Sequence, residues 1–290
     1  MSIPGLTREL LVRYLDTWVP GALHAGRRAT FAVAADAAMA EAALRVLAEF
    51  GDRLRGRQLT MVAVAPDTAT LSERLAAVQA ELDTPAGLTV HAIAGSVDAM
   101  LPVALTAAGA AGKPLLAYVE TAQPPPIRAV TVGRPAELLL LTPAGGWPDL
   151  RPALREAGFT LTAGVELVGE SSHLLAFATS SAKSLEVFKN ALWSVDEYAG
   201  VRYRDPGDPE GHLLDVSLSP HPGPLRRELL AHLESVGGRT VTELRHFTLT
   251  ETVYRASDTV RVLGALLTAG SVSRRPESGR LSGDVVITAP

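Results

Sequence analysis

The stretch Phe159-Thr-Leu-Thr-Ala-Gly-Val-Glu-Leu-Val-Gly-Glu-Ser-Ser-His-Leu-Leu-Ala-Phe-Ala-Thr179 decides how the chain is read. Two apolar runs, Phe159–Val168 and His173–Thr179, flank the short connection Gly169-Glu170-Ser171-Ser172. A connection that short must return the chain antiparallel, because a parallel neighbour needs a crossover of a dozen or more residues. Upstream the rhythm is different. Short apolar runs at Thr30–Ala35, Leu59–Ala65, Leu88–Ala94, Pro114–Val119 and Glu137–Leu141 are separated by helical stretches. Those stretches are Ala37–Phe50, Thr68–Leu82, Val97–Ala111 and Ile127–Val132, with Pro148–Ala157 leading into the hairpin. Buried runs alternating with helices read as parallel strands covered on both faces. A helix over Leu6–Leu23, with Thr7 as its cap and Leu10, Leu11, Tyr14, Leu15 and Trp18 at helical spacing, precedes them. A second, over Ser181–Glu197, sets Leu185, Phe188, Leu192 and Val195 on one face.

Five parallel strands with crossover helices, closed by an antiparallel hairpin, is the seven-stranded arrangement of class I methyltransferases. The fold class expected for residues 1–200 is therefore α/β and Rossmann-like. Residues 201–222, with Asp205-Pro206-Gly207-Asp208-Pro209 inside them, have linker composition. Residues 223–290 form a second unit. Helices are expected at Leu225–Val236, at Val241–Phe247 behind a Thr240 cap, and at Val253–Ala269. A two-stranded hairpin, Val272–Arg275 and Leu281–Thr288 around Pro276-Glu277-Ser278-Gly279, follows them. Three helices and a two-stranded wing predict a winged helix-turn-helix domain.

At 290 residues the chain has room for two domains and a sizeable core. Hydrophobic residues make up 47% and aromatics only 5%, so Ala, Leu and Val must build that core. The net charge of −4 argues against a general polyanion binder. Absence of cysteine excludes disulfides and thiolate metal sites, which fits a reducing, cytoplasmic setting. Charges at Arg8, Glu9, Arg13 and Asp16 make the first helix amphipathic, unlike a secretory signal. No apolar run reaches the ~20 residues of a membrane span. The seven histidines show no metal spacing, and no metal site is expected. His91 and His173 read as satisfied core or edge residues. The sequence holds no Gly-x-Ser-x-Gly elbow and no Walker A loop.

In methyltransferases of this class, S-adenosylmethionine lies across the strand exits. After the first strand the chain reads Ala34-Ala35-Asp36-Ala37-Ala38-Met39-Ala40, without the glycines that let backbone approach a ligand closely. Asp36 is either the cap of the next helix or the acid beside the cofactor's methionine end. Asp67, after the second strand, is either a cap or a ribose ligand. Ser96 and Asp98, after the third, stand where adenine contacts are usual, and a cap explains them as well. Glu120, ending the fourth strand, is the one candidate catalytic acid. The Pro124-Pro125-Pro126 run after it is stiff and poor in N–H donors, better suited to a fixed loop than to a lid.

In the C-terminal unit, Tyr254, Arg255 and Arg261 on the third helix and Arg274, Arg275 and Arg280 on the wing are the candidate nucleic-acid contacts. A recognition helix can enter a major groove while an arginine-bearing wing follows phosphates. Interleaved Glu251, Asp258 and Glu277 leave only a slight positive excess. A protein-contact role competes evenly.

His173-Leu-Leu-Ala-Phe-Ala-Thr179, Ser184-Leu-Glu-Val-Phe-Lys-Asn-Ala-Leu-Trp193, Val195-Asp196 and the opening Thr7 helix carry a resemblance to the three-Cys-motif partner (TcmP) family. That bacterial group joins a methyltransferase-like domain to a C-terminal helical extension. Its glycine-bearing stretch after strand one is here Asp36-Ala37-Ala38-Met39, and its Asp-Pro-Phe-Gly-like stretch after strand four is Glu120-Thr121-Ala122-Gln123. Only Asp36 and Glu120 carry over by position. The resemblance implies a divergent relative that keeps the scaffold without the cofactor loop. The expected function is a non-catalytic methyltransferase-like scaffold whose winged helix binds double-stranded DNA or a partner protein, with a homodimer possible. Two alternatives stay open. One is an active S-adenosylmethionine-dependent methyltransferase with Glu120 orienting the acceptor. The other is a transcriptional regulator whose vestigial pocket senses a metabolite.

Overall fold

The computed structural model describes residues 2–122, 125–195, 201–214 and 223–289, and forms two compact units, Met1–Leu214 and Asp215–Pro290. The first unit opens with α1 (Ile3–Ala25). Its cap is Ser2, whose hydroxyl oxygen accepts from the Gly5 N–H at 3.3 Å. Thr7 is not the cap: it is buried, and its hydroxyl donates to the Ile3 carbonyl at 3.1 Å. The helix starts a turn early because Pro4 suits a first turn that has no N–H partners to lose.

Strands and helices then alternate: β1 (Arg28–Ala34), α2 (Ala37–Ala48), β2 (Gln58–Ala65), α3 (Thr68–Leu82), β3 (Leu88–Ala94), α4 (Val97–Ala107), β4 (Leu115–Glu120), α5 (Ile127–Val130), β5 (Ala136–Pro143) and α6 (Trp147–Glu156). The hairpin β6 (Leu161–Val168) and β7 (His173–Thr179) precedes α7 (Ala182–Val195). The sheet order begins β3-β2-β1-β4-β5-β7-β6. β1 to β5 run parallel, and β7 lies antiparallel to both β5 and β6. This is the methyltransferase-like, Rossmann-like order.

Among the described residues the sheet has nine strands rather than seven. β8 (Arg202–Arg204) pairs antiparallel with β6, and β9 (Leu213–Leu214) pairs with β8. Both fall in the stretch expected to be linker. Tyr203 explains the difference, since its ring is 1% exposed and anchors the extra edge. The Asp205 turn between them is fastened as well: Asp205 accepts the Gly207 N–H at 2.7 Å and feels the charge of buried Lys189 on α7. The last helix of this unit was expected to run to Glu197, and its final two residues lie outside the described residues.

Each strand alternates between two faces. Ala32, Val62, Ala117 and Leu140 pack with Leu101 and Leu105 of α4 and Leu150 and Leu154 of α6. On the other face, Tyr14 of α1 meets Phe177 of β7 edge-on at 5.3 Å, and Phe177 stacks on Phe188 of α7 at 4.5 Å.

The second unit holds α8 (Gly223–Val236), β10 (Arg239–Thr240), α9 (Val241–Glu251), α10 (Ala256–Thr268), β11 (Ser273–Arg275) and β12 (Val286–Thr288). Its sheet has three antiparallel strands in the order β10-β12-β11, one more than the expected wing. The two-residue β10 is too short to announce itself by alternation. Leu229, Leu244, Leu263, Leu266 and Ile287 form the core. Thr240 and Glu243 make a reciprocal capping box at the start of α9. Among the described residues no helix is long and apolar enough to cross a membrane.

Candidate functional site

Because β1 to β4 run parallel, their C-terminal ends share one edge of the sheet, where α/β folds place ligands. Asp36, Asp67, Ser96 and Asp98, and Glu120 lie at the four successive exits. Two of the carboxylates are engaged by backbone. Asp36 accepts the Met39 N–H at 2.8 Å, and Asp67 accepts the Ala69 N–H at 3.0 Å and the Thr70 hydroxyl at 3.3 Å. Each is the N-cap of its helix. Ser96 is the cap residue of α4 without a side-chain bond to that helix's backbone. Its hydroxyl and local backbone N–H groups hold the Asp98 carboxyl below its ordinary range.

Glycine survives at one exit. Gly95 has φ +132°, a region closed to most side chains, and its open α-carbon receives the Met100 side chain 2.5 Å from where a Cβ would stand. Met100 therefore occupies the space that the glycine opens.

Glu120 belongs to a cluster. The Tyr118 hydroxyl, two residues back on β4, donates to Oε1 of Glu120 at 2.5 Å. Burial raises the Glu120 carboxyl above its usual range, and the charge of Asp36 adds to that; the Tyr118 bond and His173 oppose it. Tyr118 is itself buried and is raised well above an ordinary phenol, from burial first and Glu120 second. His173 opens β7 opposite Pro143 of β5. It was expected to be satisfied, yet its buried Nδ1 has no hydrogen-bond partner. Tyr118 and His173 were the members that sequence alone did not single out. The i, i+2 spacing of Tyr118 and Glu120, which puts both on one face of β4, was the available signal.

In the second unit the candidate nucleic-acid residues separate. Tyr254 is 2% exposed and belongs to the core. Arg255 lies in a nearly buried pair, its Nε and a terminal nitrogen donating to the two Asp258 oxygens at 3.0 and 2.9 Å. Arg274 fastens the connection between β11 and β12 through the carbonyls of Pro276, Ser278, Gly279 and Arg280. These three do not offer a free group to phosphate, because each is consumed in building the unit. Arg261 is half-exposed, 3.7 Å from Asp258, and Arg275 and Arg280 are exposed. The solvent face of α10 presents Ser257, Val260, Arg261, Ala265 and Thr268, small and largely uncharged. Among the described residues no three potential metal ligands come together.

No protein-family model and no curated protein matches the sequence. Solved structures similar to the chain include EvdMO1, at 16% identity and a TM-score of 0.39 over 58% of this chain. A spermidine synthase from Thermotoga maritima matches at 14% identity and 0.37 over 61%. A predicted O-methyltransferase from Agrobacterium tumefaciens matches at 16% identity and 0.32 over 59%. The match spans 39% of EvdMO1, 62% of the synthase and 81% of the third protein. The methyltransferase-like order stands on the sheet's own strand sequence and direction.

Proposed function

We propose that this chain is a non-catalytic methyltransferase-like scaffold carrying a winged helix that docks on another macromolecule. The observation that carries the first half is the engagement of Asp36. Its carboxylate is committed to the Met39 N–H, in a turn where Ala35, Ala37 and Ala38 all carry a Cβ. A cradle for S-adenosylmethionine needs bare backbone at that turn. The residues present do not fit the methionine end of that cofactor, and no methyl-transfer step is derived through it.

The second half rests on the order helix, strand, helix, helix, hairpin in Asp215–Pro290, read as a winged helix. With Tyr254, Arg255 and Arg274 built into the unit, the small, weakly charged face of α10 favours a partner protein over DNA. The DNA reading keeps Arg261, Arg275 and Arg280.

One observation supports an active or ligand-sensing protein instead. Glu120 and Tyr118 are both raised by burial at the strand exits, Glu120 feels the charges of Asp36 and His173, and perturbed groups of this kind are commonest at functional sites.

Calorimetry with S-adenosylmethionine separates these readings. The scaffold gives no heat with millimolar cofactor, whereas saturable binding abolished by Asp67→Ala would overturn it. For the second unit, a salt titration of DNA retention is the companion test. Retention that weakens steeply with salt and is lost in Arg275→Ala/Arg280→Ala would establish DNA as the target.

A further inference from the structure

At the opposite edge of the first unit, where the parallel strands begin, lies a cavity of about 600 Å³. That is the size of a small-molecule site. Tyr14, Trp18 and Pro20 of α1, Pro114 and Pro135 ahead of β4 and β5, and Val187 of α7 give it apolar walls. We propose that this cavity binds an organic anion with an apolar body and a hydrogen-bond donor at its far end, such as a hydroxylated aryl carboxylate.

The charge at the mouth is positive. Arg53, Lys183 and His24 line it. Arg53 and Lys183 are exposed, and neither side chain makes an ion pair or hydrogen bond among the described residues. Lys183 is also the second residue of α7, whose N-terminal end adds the positive pole of a fourteen-residue helix. Unpaired cations around an apolar hollow attract a carboxylate and leave its carbon skeleton inside.

The floor is polar and differently built. Glu137 is 3% exposed. It accepts the Tyr14 hydroxyl at 2.5 Å on Oε2 and the Ser184 hydroxyl at 2.6 Å on Oε1. Both hydroxyl protons are thereby directed at the carboxylate. The Tyr14 and Ser184 oxygens retain only acceptor capacity towards the cavity. A ligand group meeting them must donate, as a phenol or an amine does. A carboxylate placed at the floor would instead meet Glu137, and like charges in a buried site repel. The cavity thus fixes a polarity: anion outward, donor inward. This site is separate from the strand exits that carry the scaffold reading, so either can fail without the other.

The test uses the full chain and three probes: 3-(4-hydroxyphenyl)propionate, 3-phenylpropionate and tyramine. Trp18 in the wall gives a fluorescence signal, assigned by comparison with Trp18→Phe, and calorimetry gives the affinity. The hydroxylated acid should bind saturably with one site, more tightly than the other two, which each lack one of the required groups. Arg53→Ala/Lys183→Ala, both positions being exposed, should weaken it by about tenfold or more while leaving the melting temperature unchanged. Thr17→Trp, at the exposed mouth, should block it by volume alone. Absence of saturable binding, equal affinity for all three probes, or binding that survives both variants overturns the proposal.

Discussion

The Tyr14 hydroxyl of the first helix donates to the Glu137 carboxylate of the fifth strand at 2.5 Å, across 123 residues of sequence. The pair sits beneath α1 with Phe177 and Phe188 beside the Tyr14 ring. Removing that hydroxyl leaves a buried carboxylate with one of its two named side-chain donors. An unmade bond to a buried charged group costs about 1–3 kcal/mol. Tyr14→Phe should therefore lower the unfolding free energy of the first unit by about that amount, read by urea titration of tryptophan fluorescence. A midpoint equal to the parent's would mean that Glu137 is hydrated or protonated there and gains nothing from Tyr14.

Burial raises the carboxyls of both Glu137 and Glu120 in the folded state. A folded acid that holds its proton more tightly than the unfolded chain stabilises at low pH. Its contribution is complete below the ordinary carboxylate value, about pH 4.3, and declines as pH rises through the raised folded values. Acids held below their ordinary range, such as Glu81, paired with Arg45, and Glu243, bonded to Thr240, act in the opposite sense and only at lower pH. The melting temperature of the first unit should thus fall as pH rises above the ordinary carboxylate value, and Glu120→Gln/Glu137→Gln should flatten that slope. An unchanged slope assigns the dependence elsewhere, with Asp205, also raised by burial, the next group to replace.

The alternating elements were legible because their signals are local. β3, β7 and α3 fall where periodicity and the Asp67 and Gly169-Glu170-Ser171-Ser172 punctuation put them. The hairpin followed from the length of one turn. β8 was hidden because Arg202-Tyr-Arg204 is too short to alternate and lies in a Gly/Pro-rich stretch. Its strand state comes from pairing with β6, a contact of the folded chain. The candidate site was readable only in part for the same reason. Asp36 and Glu120 could be placed from their strand ends, while the approach of His173 depends on β7 returning beside β5. The arginines misled in the opposite direction: a charge on a predicted recognition helix looks free until Asp258, three residues on, is seen to hold it.

Asp36→Ala tests whether that acid is a cap or a ligand. A lost N-cap costs about 0.5–2 kcal/mol. Asp36→Asn and Asp36→Ser keep an acceptor for the Met39 N–H and should restore most of the loss. A cap needs only an oxygen, so the rescued variants should melt close to the parent. If Asp36→Asn melts as low as Asp36→Ala, the carboxylate charge itself matters and the capping account is wrong.

The second unit depends on Asp258 in a way that its position on a helix conceals. This residue is 4% exposed, takes the Arg255 backbone N–H at 3.1 Å and accepts two bonds from the Arg255 guanidinium. The Arg255 side chain is 12% exposed, so little water can replace its partner. Removing one member of a buried pair strands the other and costs about 3–5 kcal/mol, more than an exposed pair contributes. That loss should be concentrated in Asp215–Pro290, and the two units can be followed separately. Trp18, Trp147 and Trp193 all lie in Met1–Leu214, so tryptophan fluorescence reports that unit alone, whereas far-ultraviolet circular dichroism sees the helices of both. Asp258→Ala should give a circular-dichroism transition well ahead of the fluorescence one. The paired variant Arg255→Met/Asp258→Leu, which removes both charges at similar bulk, should recover much of the loss. Coincident transitions at the parent temperature in Asp258→Ala would show that the pair is solvated in solution and contributes nothing to the unit's stability.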